Sequence, residues 1–129
     1  MARFHNRGLD HAAIAVSDVE RSCRFYERVL GFERLYPEWD EPIVMGVGET
    51  GIAIFDESVH PSSAPAGADP PAVRILHIAF RVDRDGFEAA RRELPGEGVE
   101  AKLSDHGLSH SLYIRDPDGH QIELTTYDV

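Results

Sequence analysis

The feature that most constrains this chain is an internal repeat. The segment Ile75-Leu76-His77-Ile78-Ala79-Phe80-Arg81-Val82 lies over Leu9-Asp10-His11-Ala12-Ala13-Ile14-Ala15-Val16, and His77 falls on His11. Each copy reads as a strand with alternating faces. In the first, Ala12, Ile14 and Val16 share one face while His11, Ala13 and Ala15 share the other. A half of this size cannot bury a sheet by itself, so two copies of one unit are expected to close a shared core.

Read in order, the two halves carry the same succession of signals. After a strand over 9–16, Ser17-Asp18-Val19-Glu20 forms a capping box with Ser17 as N-cap, and Gly31 stands where a C-terminal glycine belongs. The helix between them has an apolar stripe of Val19, Cys23, Tyr26, Val29 and Leu30, which makes Cys23 a small buried hydrophobe. Strands are expected over 32–36, 43–47 and 52–55. A Ser-, Pro-, Ala- and Gly-rich stretch over 57–74 reads as a connector. The second half repeats the scheme. A strand over 75–82 leads to a helix capped within Asp85-Gly86-Phe87-Glu88, with a stripe of Phe87, Ala90, the Arg91 stem and Leu94, ended by Pro95-Gly96. Strands follow over 99–103, 110–115 and 120–127. The expected fold class is therefore α+β: one domain over 1–129, built from two tandem βαβββ modules over 9–56 and 75–127, curling around a common cavity.

Composition limits the partners. At 129 residues the chain is long enough to bury about two-thirds of its unfolded surface. Its net charge of −10 excludes nucleic acid and anionic membranes as expected partners, because both would repel it. The single cysteine rules out an intramolecular disulfide framework, and no apolar run has the length of a membrane span. A cytoplasmic protein acting on a small molecule is the expectation.

Chemistry concentrates on three strands. Asp116-Pro117-Asp118-Gly119-His120 is a tight turn into the apolar strand that carries Glu123 between Ile122 and Leu124. Alternation turns Glu123 away from those neighbours, and a carboxylate in a half-buried strand needs a cation, a hydrogen-bond network or solvent. A single strand histidine is ordinarily a surface residue or a satisfied core residue. The equivalence of His11 and His77 in the repeat changes the weighing. Two imidazoles and one carboxylate from three strands compose the facial triad of Fe(II) or Mn(II) sites, with Zn or Ni as further possibilities.

The chain resembles the vicinal oxygen chelate superfamily, which comprises glyoxalases, extradiol ring-cleaving dioxygenases, fosfomycin-modifying enzymes, methylmalonyl-CoA epimerase and bleomycin-sequestering proteins. The resemblance is carried by Leu9-Asp10-His11, Ala15-Val16-Ser17-Asp18-Val19-Glu20-Arg21-Ser22, Phe25-Tyr26, Val29-Leu30-Gly31-Phe32 and Asp116-Pro117-Asp118-Gly119-His120 with Glu123. It implies paired βαβββ modules around a U-shaped metal cavity, metal ligands at His11, His77 and Glu123, and a homodimer.

Departures within the family narrow the reaction. The glyoxalases and the epimerase resemble one another in a fourth ligand from the last strand of the first module. Aligning Gly51 with Gly119 puts Phe55 at the place of Glu123, with Ala53 on the same face, so no fourth ligand is expected. His106, Leu112-Tyr113, Asp116-Pro117, Gly119 and Glu123 resemble the extradiol signature, departing at Ser104. By that resemblance His106 and Tyr113 act on the substrate beside the metal. Trp39-Asp40 resembles the fosfomycin enzymes, though Ala13 replaces a usual threonine; Trp39 and Phe55 are candidate walls of the substrate pocket. Extradiol-type cleavage of a catechol-like compound is the favoured expectation. The alternatives are a glyoxalase-like lyase or isomerase, a fosfomycin-type thiol transferase and a non-catalytic drug-binding protein.

Overall fold

The helix of the first half starts one residue later than the capping box suggests. In the computed structural model, which describes residues 5–59 and 75–129, Asp18 is the N-cap of helix α1 (Val19–Arg28), and its side chain accepts from the backbone N–H of Arg21. Ser17 instead receives a bond from the Arg21 guanidinium. Both residues are good caps, and the carboxylate also meets the positive end of the helix dipole, which favours Asp18. Gly31 takes a left-handed backbone (φ 72°), as expected of a glycine closing a helix.

The first unit, within Met1–Ser62, places α1 against one mixed sheet. Its strands are β1 (Ala12–Val16), β2 (Glu33–Leu35), β3 (Ile43–Val47) and β4 (Thr50–Asp56), in the order β1-β4-β3-β2. β1 and β4 run parallel and the other pairs antiparallel. The helix-side face of the sheet buries Val16, Met45, Ile52 and Ile54 with Cys23, Tyr26 and Phe32. Burial raises the Cys23 thiol pKa, so this cysteine is a packing residue. On the outer side Arg34 of β2 bonds both Glu20 and Glu27 of α1, tying the helix to the edge of the sheet.

The second unit, within Ser63–Val129, repeats this order. Its strands are β5 (Ile78–Arg81), β6 (Lys102–Asp105), β7 (His110–Arg115) and β8 (Gln121–Thr126), arranged β5-β8-β7-β6, and helix α2 (Arg84–Glu93) packs on β8. Asp83, not Asp85, is the N-cap of α2 and accepts from the Gly86 N–H. Phe87, Leu94, Leu112, Ile114, Ile122 and Leu124 form the helix-side core. Pro95-Gly96 does not end the helical path. A 3-10 turn (Leu94–Glu97) follows α2, and Gly98 takes the left-handed position (φ 74°). With Val99 N–H bonded to Leu94 O, the chain is still closing that turn, so β6 begins at Lys102 rather than at 99.

Both histidines of the repeat stand one residue before the paired run of their strands, since β1 begins at Ala12 and β5 at Ile78. The expected connector over 57–74 lies for the most part, at residues 60–74, outside the described residues. No helix among the described residues is long and apolar enough to cross a membrane.

Candidate metal and substrate site

The parallel ladders define which residues correspond. Ala13 pairs with Ala53 in the first unit, and Ala79, the repeat equivalent of Ala13, pairs with Glu123 in the second. The counterpart of Glu123 is therefore Ala53, and Phe55 corresponds to Thr125. The Gly51–Gly119 alignment is two residues off because the turn before β8 (116–120) is longer than the turn before β4 (48–49). Even displacement keeps all these residues on one face, so the first unit offers no carboxylate at this place.

The turn that delivers Glu123 is built on Asp116, whose side chain is fully buried. It accepts from the N–H groups of Asp118 and His120 and, at 2.7 Å, from His120 Nδ1. That bond raises the His120 pKa above the ordinary imidazole value, against the opposing effect of partial burial. Gly119, at φ 89°, supplies a conformation that a side-chain-bearing residue rarely adopts.

Glu123 is 8% exposed and faces His77, with 3.2 Å between His77 Nε2 and Glu123 Oε1. Two donors bound cis to one ion at about 2.1 Å stand about 3 Å apart, so this pair fits a shared divalent ion as well as a direct hydrogen bond. His11 belongs to the first unit. Its Nδ1 lies 2.7 Å from Asp10 Oδ2, and because a carboxylate only accepts, Nδ1 is the donor, which in the neutral ring leaves the lone pair on Nε2. A carboxylate on the far nitrogen is the usual support of a metal-binding histidine. By donor chemistry an imidazole and a carboxylate so placed fit a divalent transition ion. Among the described residues no group of three or more His, Cys, Asp or Glu side chains is gathered so that it could hold a metal.

Around Glu123 the second unit assembles a polar face. Tyr113 is its direct partner across the β7–β8 ladder, and His106 Nε2 lies 3.1 Å from the Tyr113 hydroxyl. The His77 and Tyr113 rings meet edge to face at 5.8 Å. Burial, and then the Glu123 carboxylate, push the Tyr113 phenol above its ordinary pKa, which keeps it a protonated donor. His106 is held just after β6 by its N–H bond to Ser109 O. The structure thus joins His77, Glu123, Tyr113 and His106 in one cluster.

Ser111, fully buried on the same face, donates to Glu123 Oε2 at 3.1 Å. A strand serine carries no motif of its own, so the sequence alone does not single it out. Trp39 is half exposed and stacks on Tyr36 at 4.7 Å between centroids, with Tyr36 in the left-handed region at φ 53°. Phe55 is part-buried on β4, on the face of Ala53. Both belong to the first unit. Sheet by sheet, titratable groups crowd the Glu123 face, whereas the corresponding face of the first unit carries His11 among Ala13, Ala15, Ala53 and Phe55.

Residues 8–124 match the family model of the Glyoxalase/Bleomycin resistance protein/Dioxygenase superfamily. The chain belongs to this superfamily. It is 28% identical over 118 residues to glutathione transferase FosA of Serratia marcescens, covering 92% of this chain and 79% of that protein. It is also 28% identical over 117 residues to catechol-2,3-dioxygenase of Bacillus subtilis, covering 90% of this chain but 40% of the relative. Among solved structures, lactoylglutathione lyase from Agrobacterium tumefaciens superposes with a TM-score of 0.74 over 94% of each chain at 22% identity, a likeness of fold.

Proposed function

We propose that this superfamily member is a divalent-metal enzyme that cleaves the ring of a small catechol-like substrate by an extradiol-type reaction, with His11, His77 and Glu123 as ligands to Fe(II) or Mn(II). The observation that carries the reading is the hydrogen-bonded pair His106–Tyr113 beside Glu123 and His77. When bound, the ion supplies Lewis acidity and a template for two adjacent substrate oxygens. A chelating catechol has to lose hydroxyl protons, and His106 is the side chain able to take one near neutral pH. Tyr113, kept protonated, donates its O–H toward developing negative charge on oxygen. Trp39 and Phe55 are proposed as walls for the planar ring.

Similarity to glutathione transferase FosA over 79% of its length supports a second reading, transfer of a thiol onto an oxygen-bearing substrate at the same metal. The two separate in one experiment. Protein purified without chelators is reconstituted anaerobically with Fe(II) or Mn(II) and given a catechol panel with oxygen. Oxygen uptake with a yellow ring-opened product is expected. Thiol consumption with glutathione and an epoxide phosphonate, and no reaction with catechols, would replace ring cleavage by thiol transfer.

A further inference from the structure

We propose that Ser111 is a positioning residue that makes Glu123 a one-oxygen ligand, an inference resting on the reading that Glu123 holds a divalent ion. The two carboxylate oxygens are in different surroundings. Oε1 faces His77 Nε2 at 3.2 Å, while Oε2 accepts from the Ser111 hydroxyl at 3.1 Å. Ser111 is fully buried and Glu123 nearly so, which shields this bond from competing water.

The ladder explains why Ser111 reaches Oε2. Tyr113 is directly opposite Glu123, and Ser111, two residues earlier on β7, is the diagonal neighbour on the same face. Ser111 is itself directly opposite Thr125, and their hydroxyl oxygens are 3.4 Å apart. A serine hydroxyl has one proton, and of the two acceptors within its reach Glu123 Oε2 is the nearer and the charged one, so the Ser111 proton goes to the carboxylate. This bond holds Oε2 and leaves Oε1 directed at His77.

The chemical consequence is one coordination position. A carboxylate binds an ion through one oxygen or both, and one whose Oε2 is engaged would offer it Oε1. Held through one oxygen, Glu123 would leave one more position to small-molecule ligands than it would through two. Ser111 thereby contributes to the openness of the site without touching substrate.

The test titrates metal-free wild-type protein, Ser111→Ala and Ser111→Thr with Mn(II) alone, following free Mn(II) by electron paramagnetic resonance, with Zn(II) as a competitor. Ser111→Ala is expected to weaken Mn(II) binding about 10- to 100-fold, to alter the bound-Mn(II) spectrum and to leave the metal-free thermal midpoint within a few degrees. Ser111→Thr, which keeps the hydroxyl, is expected to restore the affinity and the spectrum. Equal affinity and spectrum in wild type and Ser111→Ala overturn the positioning role while the metal reading stands. A folded Ser111→Thr as weak as Ser111→Ala overturns it too. Absence of Mn(II) and Zn(II) binding by wild type overturns the metal reading and this inference with it.

Discussion

Glu123 Oε1 and His77 Nε2 are 3.2 Å apart on adjacent parallel strands, the closest approach of a carboxylate to a repeat histidine in the second unit. A carboxylate this buried is stabilised by partners, and here they are the Ser111 hydroxyl and the one-third-exposed His77 imidazole, whose ring meets Tyr113 edge to face. In this structure the pair stands within hydrogen-bond distance, and under the proposed function it takes a second state as two adjacent ligands.

Replacement of Glu123 by Gln separates these states. The amide still accepts from Ser111 but loses the anionic ligand oxygen, so metal affinity should fall by more than about 100-fold, beyond the range typical of supporting residues. The metal-free thermal midpoint should change little. Calorimetric titration with Mn(II) checks the first outcome and thermal denaturation the second.

His106→Asn and Tyr113→Phe address proton handling. If His106 takes a substrate proton, its loss should lower kcat by about 10²- to 10⁴-fold while the metal stays bound. Tyr113→Phe should also lower kcat while the metal stays bound. Steady-state rates across pH on metal-verified protein are the measurement.

The His120–Asp116 pair predicts a pH dependence of stability. The folded pKa of His120 is raised above its unfolded value by Asp116, so the pair contributes in full below the ordinary imidazole value and its contribution is lost as pH rises through the raised value. His120 is one-third exposed, which limits the effect to about 1 kcal/mol after solvent screening. Urea denaturation of wild type and His120→Gln should differ most below the ordinary imidazole value and converge as pH rises through the raised one. A gap that widens with pH would contradict the pair's role.

Asp116→Ala should be more damaging than any change at His120. It removes the acceptor of two backbone N–H groups and one imidazole from a fully buried position, at a cost of about 3 kcal/mol. Because this turn aims β8, Mn(II) affinity should decline along with stability, which paired denaturation and titration measurements would show.

A comparable loss is expected in the helix-side core. Phe87 of α2 is 1% exposed, and Phe87→Ala removes a large buried ring with incomplete collapse around it, costing about 3 to 5 kcal/mol. Denaturant midpoints at unchanged slope are the check.

Much of this protein was legible in its sequence because the information is local. Alternation along 9–16 and 75–82, helical stripes through Tyr26 and Phe87, and the turn residues of Asp116 to Gly119 each act within a few residues, so they specify strands, helices and a hairpin without knowledge of distant partners. The repeat adds the α+β plan of two four-stranded sheets. Helix starts were displaced, from Ser17 to Asp18 and from Asp85 to Asp83, because several neighbouring residues are able to cap and only the backbone geometry shows which side chain reaches the free N–H groups. Pairing was beyond the sequence altogether. The correspondence of Glu123 with Ala53 rather than Phe55 depends on a turn length that is read only from the ladders, and Ser111 and Thr125 join Glu123 only when β7 lies beside β8. The sequence by itself determined the elements and the identity of the candidate ligands; tertiary structure decided which oxygen of Glu123 each neighbour meets, because hydrogen-bond geometry is a property of strands in register and not of residues in line.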